Sequence, residues 1–149
     1  MLNKDFISFE EAIALKKLGF DELCFGFYHV KATGPNTKEN HLTLTHVTTQ
    51  KDFGYQTCSA PTYQQAFRWF RDKHFLFGLT EDIFVHGTLT FSFKINGQKA
   101  DKFECMESFD SWDEAELACL KKLIEIKNRP EPEDYFSDWD DEGLFSPLE

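Results

Sequence analysis

The side chains best suited to bind something stand together in the middle of the chain: Arg68, Trp69, Arg71 and Lys73, with His74 beside them. Guanidinium and ammonium groups hold phosphate by charge-assisted hydrogen bonds, and an indole ring can stack a nucleobase. The competing use is ordinary: Trp69 as core or flank packing and the cations as a solvated helix face. Elsewhere the chemistry is thin. His41 and His46 are five apart on a predicted strand and fall on opposite faces, and His29, His74 and His86 stand alone. With no His-Glu-x-x-His and no Cys-x-x-Cys, no metal site is expected. No Gly-x-Ser-x-Gly elbow marks a nucleophile. The eight glycines are scattered and form no phosphate-cradling loop. Acid pairs such as Glu10-Glu11 and Asp113-Glu114 stand at helix starts, where the helix dipole accounts for them. No catalytic residue and no cofactor is assigned, and the chain reads as a binder rather than an enzyme.

The central cations sit on a predicted helix. Thr62 can cap its start and Gln65 can close a capping box, with Tyr63, Ala66, Phe67, Phe70 and His74 on one face. Ser8 with Glu11, and Ser111 with Glu114, repeat that opening for a first helix over about 9–18 and a third from Trp112 to about Asn128. Gly19 predicts a left-handed stop after the first, with Phe20 packing back, and Gly78 lies near the stop of the second. Between the helices, alternation predicts strands over 21–30, 41–49 and 83–95, with 50–60 irregular and 75–82 a connection. The 21–30 strand carries apolar residues on both faces and reads as central. Asn96-Gly97 predicts a tight hairpin into a partner strand over about 98–107. A two-residue turn there would put Phe103 and Cys105 on the threonine face, so a bulge or a longer turn is needed to repair the register. The expected fold is α+β: an antiparallel sheet of about four strands packed against three helices, in the order α-β-β-α-β-β-α, with an acidic C-terminal tail. Helix–strand–strand occurs twice in that order.

Length and composition agree with a packed globule. The chain of 149 residues is 41% hydrophobic and carries 17 Phe, an aromatic load that excludes a disordered chain. Its net charge of −10 is uneven. Residues 131–149 hold eight acids and no base, which leaves 18 acids against 16 bases in residues 1–130. The nearly neutral body disfavours direct nucleic-acid binding through a broad basic face. The expected division is one α+β domain over 1–130 and an acidic aromatic tail over 131–149. Solvated acidic tails usually lack rings, so Tyr135, Phe136 and Trp139 are candidate partner-binding residues, unless they pack on the body. No apolar run approaches a membrane span, and no signal-peptide pattern opens the chain. Cys24, Cys58, Cys105 and Cys119 read as mostly buried thiols. A cytoplasmic protein is expected.

Three blocks carry a resemblance. They are Phe9-Glu-Glu-Ala-Ile-Ala-Leu-Lys-Lys-Leu-Gly-Phe-Asp-Glu22, Ala60-Pro-Thr-Tyr-Gln-Gln-Ala-Phe-Arg-Trp-Phe-Arg-Asp-Lys73, and Glu114-Ala-Glu-Leu-Ala-Cys-Leu-Lys-Lys-Leu-Ile-Glu-Ile126. These resemble small uncharacterised proteins of Bacteroidota and their phages; the strands between them and the acidic tail match nothing of the kind. The resemblance brings no catalytic residues. It implies a small accessory protein, encoded by a phage, that acts on host machinery or host defence. The leading expectation is therefore a non-enzymatic binder that sequesters a nucleotide-like signal through Arg68, Trp69, Arg71 and Lys73. The alternatives are a protein-interaction or nucleic-acid-mimic module using the tail, and an enzyme with a motif-free site. The expected partners are an anionic small molecule or a host protein, with self-association open and no membrane.

Overall fold

The computed structural model describes residues 4–32, 34–36, 38–48, 57–97 and 102–129. In chain order the elements are α1 (Phe9–Lys17), β1 (Cys24–Ala32), β2 (Lys38–Thr48), β3 (Thr57–Ala60), α2 (Tyr63–His74), β4 (Leu76–Val85), β5 (Thr88–Gly97), β6 (Phe103–Glu104) and α3 (Trp112–Asn128). The fold is α+β, but the expected four-stranded sheet is replaced by two antiparallel sheets of three strands, ordered β2-β1-β3 and β4-β5-β6. Helix–strand–strand–strand occurs twice. The first strand is central in one sheet and the second strand in the other, so the halves do not share a topology. The acidic segment 131–149, with Tyr135, Phe136 and Trp139, lies outside the described residues.

The helix starts follow the shared opening only in part. Ser111 Oγ accepts from the Glu114 amide at 3.2 Å, and Glu114 Oε2 accepts from the Asp110 amide at 3.3 Å. Thr62 Oγ1 accepts from the Gln65 amide at 3.2 Å. The Gln65 side chain does not close the box; it donates to Leu23 O at 2.5 Å and ties α2 to the entry of β1. Ser8 makes no side-chain cap bond, and Glu11 turns inward instead of back to Ser8. Gly19 takes φ +98 as expected, and the Phe20 amide closes the turn onto Leu15 O at 3.0 Å, with the Phe20 ring buried.

The strands differ from expectation where a turn carries an unobvious residue. The run 83–95 is not one strand. His86 (φ 51) and Gly87 (φ 78) form a two-residue turn with both central residues left-handed, and it joins β4 to β5. That is the turn whose twist suits a hairpin, and His tolerates the left-handed region better than most residues. β4 therefore begins at Leu76 and takes in the segment expected to connect. Asn96-Gly97 is not a tight turn: Ile95 pairs with Phe103 and Lys94 with Glu104, so a longer connection repairs the register and brings Phe103 to the Ile95 face. β3, expected to be irregular, pairs Cys58 with Tyr28 and Ser59 with Phe27. Its four small or polar residues are too short a run to show a period.

One cluster of buried side chains joins all three helices to both sheets, including Leu15, Cys24, Cys58, Trp69, Phe70, Ile95, Leu120 and Leu123. Each large apolar side chain fully withdrawn from water contributes about 1.5–3 kcal/mol before entropy is set against it. α3 lies across β4 and β5, and α1 packs on β3. The far end of the β4–β5 hairpin extends beyond this cover, leaving Phe84 73% exposed.

α2 ends at Phe75, which takes φ 54 and ψ 33 as the left-handed cap, while the Phe75 ring is half exposed. A residue with a bulky side chain pays about 1–2 kcal/mol in that conformation, which Gly or Asn largely avoids. Phe75→Asn is expected to raise unfolding stability by about 0.5–1 kcal/mol, measured as a higher urea midpoint at unchanged slope.

Candidate functional site

α2 presents its cations on two different sides. Arg68 and Arg71 are one turn apart and open onto a groove of about 310 Å³, lined also by Gln64, Phe67, Phe77 and Gly78. Both arginines are exposed. Arg71 Nε lies 3.2 Å from Asp72 Oδ1, a half-exposed pair of sequence neighbours of little energetic weight. Lys73 falls on the other side of the helix. It lines a separate depression with Asp21, Glu22, Leu18 and Gly19, where the neighbouring charges are acidic. The structure thus keeps Arg68 and Arg71 together and separates Lys73 from them.

Trp69 is not on the outward face. It is only 4% exposed and packs edge-on against Phe20, Phe70 and His74, at ring-centre distances of 5.4, 5.1 and 4.5 Å. A ring closed in on these sides offers no platform for a base. Apolar contacts recur every three to four residues along a helix, and Ala66, Trp69 and Phe70 form that stripe in α2.

Two rings border the arginines: Phe67, which packs on the core, and Phe77, the outward one, 45% exposed on β4. Its position follows from strand alternation. Leu76, Gly78 and Thr80 turn inward, so Phe77 and Leu79 turn out. Gly78 fixes how closely β4 approaches α3: a Cβ there would stand 2.9 Å from Cys119 Sγ and 3.0 Å from Leu123 Cδ1. Phe77 was missed because 75–82 does not look like a strand until His86-Gly87 is recognised as its turn. The alternation Leu76, Phe77, Gly78, Leu79 was the available signal.

Among the described residues the remaining thiols and histidines lie apart from that groove. Burial pushes the thiols of Cys24 and Cys119 up to about 12, so neither is a thiolate nucleophile at neutral pH. His41 lies opposite His29 in the β1–β2 ladder, with rings 5.6 Å apart, and pairs with Glu39 at 3.6 Å in an exposed position. His86 is exposed at its turn. Among the described residues no group of three or more His, Cys, Asp or Glu could hold a metal ion. Among them, too, no helix is long and apolar enough to cross a membrane.

Comparison with known proteins finds no matching family model, no matching curated protein and no matching solved structure. The case for a site therefore stands on its geometry: two arginines one turn apart, an outward phenylalanine ring, and an open groove between a helix and an edge strand.

His74 belongs to the core side of α2 and not to that groove. Burial lowers its pKa and Lys127 lowers it further, while its Nε2 is buried with no hydrogen bond among the described residues. The folded pKa is below the unfolded one, so neutral His74 favours folding above about pH 6.5, and this contribution is lost as pH falls through the folded value. The melting temperature is expected to drop between pH 7 and pH 5, and to drop less in His74→Gln, as followed by thermal denaturation across that range.

Proposed function

We propose that the protein is a non-enzymatic accessory binder that sequesters a nucleotide-like anion in the groove between α2 and β4. Arg68 and Arg71 hold the phosphates and Phe77 takes the base, the role that the sequence suggests for Trp69. The observation that carries this reading is the pair of exposed arginines opening onto a groove with an outward ring at its wall. Its volume of about 310 Å³ is at the lower end of small-molecule sites, which span roughly 300–1,000 Å³, and so favours a nucleotide-sized ligand over a polymer. The resemblance to small proteins of Bacteroidota and their phages supports a phage-encoded setting, in which such a binder would deplete a host defence signal in the cytoplasm. No step of bond making or breaking is required of it.

Calorimetric titration with mononucleotides and cyclic dinucleotides tests the chemistry. Native mass spectrometry of protein taken from phage-infected cells identifies what it carries. Arg68→Ala with Arg71→Ala is expected to abolish binding while leaving the melting temperature within about 1 °C, because both side chains are exposed surface groups. Phe77→Ala is expected to weaken binding by about 5- to 150-fold, the loss of one stacked base at about 1–3 kcal/mol. An arginine double variant that binds normally would sink the proposal, as would one that unfolds.

A further inference from the structure

Two histidines that stand alone in the sequence are joined by the β1–β2 ladder. The strands pair antiparallel with His29 opposite His41 and, two positions on, Phe27 opposite Thr43. Side chains alternate along a strand, so His29 and Phe27 of β1 share one face of the sheet with Glu39, His41 and Thr43 of β2. Tyr28 turns to the other face, where its hydroxyl donates to Ile7 O at 2.7 Å on the packed side of the sheet. His29 is half-buried and His41 exposed, so both rings meet water.

The spacing of the two rings is close to that of a chelate. Their centres lie 5.6 Å apart and their planes are inclined by 30°. An ion held about 2.0–2.1 Å from one nitrogen of each of two imidazoles, at a square-planar or tetrahedral angle, sets the ring centres about 4.5–5.5 Å apart. Closing the pair onto one ion therefore takes a small turn of the side chains and no change in the ladder.

A second observation is what stands behind each ring. Glu39 Oε2 lies 3.6 Å from His41 Nε2, and Thr43 Oγ1 lies 3.5 Å from His29 Nδ1. Both contacts are at or beyond the long end of hydrogen bonding. A metal-bound imidazole characteristically turns its second nitrogen to an oxygen partner, often a carboxylate, which fixes the tautomer and the ring orientation. Glu39 is placed to do this for His41 and Thr43 for His29, with Phe27 flanking the His29 ring at 6.1 Å. The nitrogen left on each ring is the one a metal would take.

We propose that His29 and His41 form a two-histidine site for a divalent transition-metal ion of the kind that favours imidazole, Cu²⁺ ahead of Zn²⁺. His29 Nε2 and His41 Nδ1 ligate, and Thr43 and Glu39 orient the rings from behind. Among the described residues no third His, Cys, Asp or Glu completes the set, so water fills the remaining positions. The bound ion ties β1 to β2 across the open face. The site uses the other sheet and shares no residue with the arginine groove, so it does not rest on the nucleotide reading.

Cu²⁺ and Zn²⁺, titrated separately into the full chain without a purification tag, test this. Cu²⁺ is expected to bind with Kd below about 100 μM and Zn²⁺ more weakly. The electron paramagnetic resonance spectrum of the copper form is expected to show splitting from two imidazole nitrogens. His29→Gln and His41→Gln are each expected to weaken Cu²⁺ binding by about tenfold or more and to reduce the splitting to one nitrogen, which a merely structural role would not do. Glu39→Gln is expected to weaken binding several-fold with both nitrogens kept. His86→Ala, and Arg68→Ala with Arg71→Ala, should change nothing. Should a histidine variant not fold, ring-nitrogen resonances of the unaltered chain give the same reading: Zn²⁺ is expected to shift those of His29 and His41 ahead of the others. The proposal is overturned if Cu²⁺ binds only above about 1 mM, if a folded His29→Gln or His41→Gln keeps both nitrogens, or if Zn²⁺ shifts other histidines first.

Discussion

The close approach of α3 to β4 is the contact on which the architecture depends. Gly78 has no Cβ, and the space one would occupy is taken by Cys119 and Leu123 of α3. That proximity puts α3 over Phe93 and Ile95 of β5 and brings α2, which runs straight into β4 through Phe75, alongside both. A larger residue at 78 would have to push back a buried helix, since interiors are too densely packed to yield a carbon's width. The same inward turn of Gly78 sends Phe77 outward beside Arg68 and Arg71. The core contact and the candidate groove are opposite faces of one strand.

The helices run in a common direction, and the charges follow. Their N-termini meet around Lys4 and Tyr63. At the other end, Leu18 and Gly19 after α1 share a depression with Lys73 and His74 of α2, and Lys127 of α3 acts on His74. Parallel dipoles repel, and the distribution of charge answers this: Glu10, Glu11, Asp113 and Glu114 stand in first turns, and Lys16, Lys17, Arg71, Lys73 and Lys127 in last turns. Glu11 is the buried member of this set, and Lys121 of α3 stands 3.9 Å from its Oε1.

Much of the helical framework was legible because its signals are local. The caps of Thr62 and Ser111, the left-handed Gly19 and the stripe of Ala66 and Phe70 each depend on residues within a few positions of one another. Strand pairing was less so. His86 in a left-handed turn is permitted by its side chain but not announced by it, so 83–95 looked continuous and β4 looked like a connection. At the candidate site Arg68 and Arg71 were legible as outward cations. Trp69 was legible as either core or an outward ring, because position on a helix does not say how wide the covered stripe is; Phe20 arriving from the end of α1 settles that.

The sequence by itself determined the α+β class, the three helices with their approximate ends, the central place of β1, and the two arginines that point away from the apolar stripe. Each follows from propensity, capping or periodicity, which act over one or two turns of chain. Only the tertiary structure decided that the strands divide into two sheets, that Phe77 rather than Trp69 is the outward ring beside the arginines, and that three helix starts and a buried Glu11 share one end of the molecule. Those facts join residues up to about a hundred positions apart. They depend on which surfaces exclude water from one another, and no local pattern encodes that.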